Sequence, residues 1–336
     1  MRRLISVPVL VLLALALTVL APLWVPVVLL VDLCTAPRRC PRTRLLAFAT
    51  WWAWLETLGL AWAGWTLVTG RARRPGPHYR LQAWWANGLV VGLRLTCRLV
   101  LEPRHTDALT PGPVIVLPRH ASLADALLSA WFVTQVGYEP RYVLKQELQL
   151  DPCLDIVGHR IPNHFLDRTA LDNSEELAAL RTLAADAEAA RSCVVIFPEG
   201  TRANPEKRAR ALARIAERNP DRADRLAALE HCNPPRLGGT LAVLAGAPTA
   251  DVAFMWHAGF EGLDTFGGIL RTIPGAAPIL IDCVRVPRAE VPEGDDERAA
   301  WLDTEWLALD RRVDTLLAER ATMTGRTTTD ERSASA

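Results

Sequence analysis

The chain has 336 residues, half of them hydrophobic, and its 38 basic and 37 acidic residues leave a net charge of +1. That balance hides an asymmetry: residues 1–105 hold 13 Arg against three acids, a net of +10, and the remainder carries −9. The basic residues flank apolar, Trp-rich runs and form no patch on a soluble domain, which argues against a nucleic-acid partner and for a membrane surface. Seven scattered cysteines, with no Cys-x-x-Cys, exclude a disulfide framework and a zinc site and fit a reducing compartment.

Residues 7–31 are 25 positions without a charge, preceded by Arg2 and Arg3. At about 1.5 Å per residue such a run is long enough to span a bilayer, and Pro22 and Pro26 are expected to kink its second half. A second apolar run covers 45–68, with Glu56 as its only charge; four Arg precede it and RARR follows at 71–74. Arginines on both sides leave two arrangements open: two spans with both ends in the cytoplasm, or a hairpin dipping in from the cytoplasmic face. A third piece, 81–101, carries Trp84 and Trp85 with Arg94 and Arg98 and reads as amphipathic, its end merging into a first strand.

The breaker Pro111-Gly112-Pro113 precedes the apolar run 114–117, which reads as a strand. His120 and Asp125 follow it five positions apart, before a helical pattern over 123–136. In α/β proteins ligands bind beyond the carboxyl ends of strands, and a carboxylate there can orient an imidazole acting as a base. The same stretch also reads as a plain helix start, with Ser122 as N-cap and Asp125 in the first turn.

Residues 141–148 predict a short strand running into a turn with Lys145. The stretch 158–168 gathers His159, His164, Asp167 and Arg168; Pro162 between the two histidines excludes helical metal-ligand geometry, and no metal site is expected. A helix over 177–191 and a strand over 193–197 follow, giving βαβ spacing. The strand runs into PEGTR, 198–202, where Glu199, Thr201 and Arg202 are expected to share a crevice with His120. Gly200 lets a ligand approach the backbone, and Arg202 can take a phosphate bidentately. Beyond a charged helical stretch, 203–235, come a helix to 244, strands at 251–256 and 279–286, and an amphipathic helix over 301–317. The expected fold is α/β: a mostly parallel mixed sheet flanked by helices, with an N-terminal apolar helical membrane segment. The expected domains are a membrane-inserted hairpin, 1–80, an α/β domain, 81–320, and a disordered tail, 321–336.

RHASLAD followed by FPEGTR resembles the first and third motifs of the glycerolipid acyltransferase family, the lysophosphatidic acid acyltransferases and their relatives. RYVLKQEL and GHRIPNHFLDR look like the block between those motifs. NPPRLGG, ADVAFMWHAG and WLDTEWLALD resemble the lysocardiolipin acyltransferase branch. The resemblance covers roughly residues 80–320. It implies His120 as general base on a lysophospholipid hydroxyl, oriented by Asp125, with acyl-CoA or acyl-carrier protein as co-substrate and no metal or redox cofactor. It places Glu199, Gly200, Thr201 and Arg202 at the acceptor phosphate, with Arg202 as the direct contact, and Lys145 and Arg168 near the site. The implied setting is an inner or plasma membrane, with the bilayer as partner and the active site facing the cytoplasm. The residue before the histidine departs from the pattern: it is Arg119 where Asn is usual. The same His–Asp pair also suits a membrane-bound thioesterase or lipid hydrolase, and a non-catalytic lipid-binding homologue is the third reading.

Overall fold

A computed structural model describes residues 2–122, 124–166, 173–263, 265–323 and 325. In chain order come helices α1 (Arg2–Val19), α2 (Ala21–Thr35), α3 (Pro41–Val68) and α4 (Pro75–Cys97), strands β1 (Leu101–Pro103) and β2 (Val114–Pro118), α5 (Asp125–Gln135), β3 (Arg141–Lys145), α6 (Pro152–Gly158) and β4 (His164–Leu166). Then follow α7 (Asn173–Ala189), β5 (Cys193–Val195), α8 (Pro205–Ala216), α9 (Pro220–Leu226), α10 (Leu237–Gly246), β6 (Asp251–Ala258), α11 (Phe266–Thr272), β7 (Ile279–Val286) and α12 (Asp295–Met323). The chain divides into two compact units: Met1–Leu101 with Leu144–Leu166 and Gly262–Pro278, and Glu102–Val143 with Asp167–Glu261 and Ile279–Ala336. Helix α4 thus belongs to the first unit, past the boundary at residue 80 that composition suggests. The expected tail lies almost wholly outside the described residues; α12 itself continues to Met323.

In the first unit the uncharged run 7–31 is not one straight helix. Among the described residues no single helix is long and apolar enough to cross a membrane; Arg3–Val19 and Ala21–Thr35 pass together but are bent by 70°. Pro22 sits in the first turn of α2, where its missing N–H costs nothing, whereas within a continued α1 its ring would strike the carbonyl one turn back. Buried Asp32 ties α2 to α3 by accepting from the Thr43 N–H at 2.8 Å and hydroxyl at 2.9 Å. The second run, inside α3, also fails as a span by length and composition, and one of its faces is a packing surface. Gly88 and Gly92 of α4 let Leu55 and Trp51 of α3 come so close that a Cβ would meet them at 2.6 and 2.4 Å. Glu56 is fully buried and accepts from Trp85 Nε1 at 2.6 Å.

The second unit is an α/β layer structure with its strands in the order β1-β7-β6-β2-β5-β3. Strand β2 pairs in parallel with β5 (Val114↔Cys193) and with β6 (Val114↔Asp251), β3 pairs in parallel with β5, and β7 runs antiparallel to β6. All five residues of β2 are buried, as expected of a central parallel strand covered on both faces. Ile115, Leu117, Val252 and Phe254 share one core cluster with Leu180 and Leu183 of α7, Val243 of α10, and Leu302, Trp306 and Leu309 of α12. The consequence for function is directional: β2, β5 and β6 run the same way and end side by side.

Candidate active site

The carboxyl ends of those strands carry His120 and Glu199–Arg202, on the segments that leave β2 and β5, and His257, the penultimate residue of β6. Asp125 opens α5 and is buried. Its Oδ2 accepts from the Ala121 N–H at 2.5 Å and the Ser122 N–H at 2.7 Å, and lies 3.0 Å from His120 Nδ1; its Oδ1 accepts from the Ser122 hydroxyl at 2.5 Å. Ala124, not Ser122, occupies the N-cap, without a side-chain cap. The Ser122 hydroxyl is committed to Asp125 and accepts from the Ala124 N–H at 3.1 Å.

Burial works to raise the Asp125 carboxyl, but the imidazoles of His257 and His120 beside it outweigh that and hold the group well below the usual carboxylate range. With Asp125 accepting at Nδ1, Nε2 is the ring nitrogen left to accept a proton. His120 Nε2 has no hydrogen bond among the described residues, and the side chain retains 15% exposure. The ring packs on Phe197 with centroids 5.0 Å apart.

The main chain of His120 is gripped from the next strand end. Glu199 Oε1 accepts its N–H at 2.6 Å, and the Ala203 N–H donates to its carbonyl at 2.6 Å. Glu199 Oε2 accepts from the Asn233 N–H at 2.8 Å. Burial pushes Glu199 up to about 8, against the pull of those two N–H groups and of Arg119. Both its oxygens therefore face inward and shape the loop. Asn233 also donates from Nδ2 to the Thr201 carbonyl at 3.3 Å, and its own carbonyl accepts from Trp306 Nε1 at 3.0 Å. Asp310 of α12 holds the preceding turn by accepting from the N–H groups of Glu230, His231 and Cys232 at 2.9, 2.9 and 2.7 Å.

Gly200 adopts φ of +65°, and a Cβ there would meet Cδ and Nε of Arg236 at 3.0 Å. Arg236 is exposed and lies across this turn; Arg202 is half-buried. Neither guanidinium has a hydrogen bond or ion pair among the described residues, so both are available to an anion. Lys145 closes β3 and is grouped with the first unit, whereas His120 belongs to the second. Arg168 lies outside the described residues. His159 is engaged by Asp155, whose carbonyl is 2.6 Å from Nδ1.

Two residues escape sequence reasoning. Arg236 reads there only as the start of a helix. His257 stands at the end of β6, buried, with Nε2 3.1 Å from Asp125 Oδ1; its only signal was a polar residue ending an apolar strand beside β2. Arg119 is 3% exposed and points into the protein. Its Nη1 donates to the His257 carbonyl at 2.8 Å and to Glu261 Oε1 at 3.0 Å. Burial opposes its charge, and Glu261, together with Glu199 and its other neighbours, more than compensates. The departure from Asn at this position is therefore an internal brace.

A family profile described as Acyltransferase matches residues 102–220. The match spans about a third of the chain and is a similarity of that stretch. The matched stretch carries His120, Asp125 and the PEGTR turn. No curated protein sequence matches the chain. Among solved structures, the chain is similar to the crystal structure of the 1-acyl-sn-glycerophosphate (LPA) acyltransferase PlsC from Thermotoga maritima. That similarity has 14% identity and a TM-score of 0.43, covering 95% of this chain and 100% of that one.

Proposed function

We propose that this acyltransferase moves a fatty acyl group from a thioester, acyl-CoA or acyl-carrier protein, to the free hydroxyl of lysophosphatidic acid or a related lysophospholipid. One observation carries the reading: a His120 whose Nδ1 is locked on buried Asp125 and whose Nε2 is free, on the main chain gripped by the turn bearing Arg202. Nε2 takes the acceptor hydroxyl proton as the oxygen attacks the thioester carbonyl. The tetrahedral intermediate then expels the thiolate, which recovers the proton from the imidazolium. Arg202 and Arg236 hold the acceptor phosphate; Gly200 keeps the turn open to it.

The acceptor is a lipid, and α1 and α2 offer it a matching surface. Leu4, Leu12, Leu23 and Leu30 are each more than 60% exposed, and arginines flank these helices. We read the bent pair as entering one leaflet from the cytoplasmic face of an inner or plasma membrane, the arginines reaching lipid phosphates.

The deciding assay offers purified full-length protein one labelled acyl-CoA and a panel of lysophospholipids. The expected result is acceptor-dependent phospholipid formation that falls about 10²- to 10⁴-fold in His120→Ala. Release of free fatty acid independent of any acceptor would instead identify a hydrolase.

A further inference from the structure

The reaction uses one oxygen of Asp125; the structure places a second imidazole on the other. The parallel β2–β6 register ends at Pro118↔Met255; two residues on, His120 has left β2 while His257 is still in β6, paired with Ile281 of β7, so the two stand at neighbouring strand ends with Asp125 between them. His120 Nδ1 lies 3.0 Å from Oδ2 and His257 Nε2 lies 3.1 Å from Oδ1. His257 is 1% exposed, and its ring meets Phe260 edge-on at 5.3 Å between centroids. Its Nε2–H is off the line of a hydrogen bond to Oδ1, so the attraction is one of dipole and charge at short range; such contacts in unliganded sites commonly tighten in the reacting complex.

His257 is itself held. Arg119 grips its carbonyl, Glu261 receives Arg119, and the second oxygen of Glu261 accepts the Gly259 N–H at 2.5 Å, closing the segment 257–261 on itself. The Glu261 side chain keeps 36% exposure, so the brace is anchored from the protein surface. A plain structural histidine at a strand end would not need a buried arginine on its own carbonyl.

We propose that His257 is a positioning residue for acyl transfer. It fixes the rotation of the Asp125 carboxylate so that Oδ2 stays aimed at His120, and Arg119 with Glu261 holds it there. The proposal rests on the reading of His120 as the base.

The test compares His257→Leu with His257→Gln in the full-length protein, with His120→Ala alongside. Glutamine keeps a side-chain N–H in reach of Oδ1; leucine does not. Leucine should lower kcat about 10- to 100-fold, the range for losing a contact to a buried charge, with KM for donor and acceptor unchanged. Glutamine should restore most of that loss, and thermal melting of both variants separates rate from folded fraction. Equal losses in the two variants, a change in KM instead of kcat, or a rate that merely follows the folded fraction would overturn the proposal. A collapsed His120→Ala rate beside an unaffected His257→Leu rate overturns this proposal alone; a wild-type rate in His120→Ala overturns the base assignment and this proposal with it.

Discussion

In the helical unit, most leucines of α1 and α2 face outward while Asp32, Glu56 and His78 are fully buried. In the α/β unit the leucines of β2, α7 and α12 are inside, and the buried polar groups Asp125, Glu199, Arg119 and His257 converge at the ends of three strands. Buried polar groups serve different ends in the two. Asp32 saturates backbone and hydroxyl donors at the start of α3 and makes a corner rigid. Asp125 is saturated on every side except that one of its partners, His120, has a second nitrogen left free. A satisfied network stabilises; one with a single unsatisfied base at its rim can also react.

The largest way to break this contrast is His120→Ala, with the loss of kcat given above. Arg202→Ala comes next: it should raise KM for a phosphate-bearing acceptor roughly tenfold to a hundredfold, the effect of losing a charge-assisted bond, while leaving KM for the thioester unchanged. Arg202→Lys should recover only part, because a lysine cannot present a planar fork. Leu12→Asp with Leu23→Asp sharpens the other side. Sedimentation with anionic vesicles should fall, while turnover of a short-chain, micelle-free acceptor and the melting temperature stay near wild type.

The smallest effect is a pH dependence of stability. Glu199, ordinarily near 4.5, is raised to about 8, so the folded state holds a proton that the unfolded state releases. Its contribution is complete below pH 4.5 and is lost as pH rises through 8. Asp125 is depressed, so its contribution is present above its ordinary range and is lost as the solution becomes strongly acidic. Urea midpoints measured from pH 5 to 9 should decline less steeply in Glu199→Gln than in wild type.

The buried strands at 114–118, 193–195 and 279–286 were legible because a continuous apolar run bounded by breakers has little else to be. Helix α6 and strand β4 were not: they are short, and their histidines and prolines suggest a loop. In the run 7–31 the absence of charge gave the apolar stretch and Pro22 the expectation of a kink, but the size of the bend, 70° between two helices, was not in the pattern. In the site, His120, Asp125 and PEGTR could be read because the chemistry is local or repeats a known spacing. His257 could not, since only the β2–β6 register brings it to Asp125. Arg119 could be read from sequence only as a departure from Asn, because its partners, Glu261 and the His257 carbonyl, lie far along the chain.

The grip of Glu199 on two backbones has a genetic consequence. One oxygen holds His120 and the other holds Asn233, whose carbonyl and neighbouring turn hang from Trp306 and Asp310 of the C-terminal helix. A missense change at Asp310, or a premature stop before α12, would register in a screen as loss of catalysis, though that helix is far from His120 and Asp125 in sequence. Mapping inactive alleles along this chain should therefore yield a second cluster near residues 303–313, far from the two acyltransferase motifs.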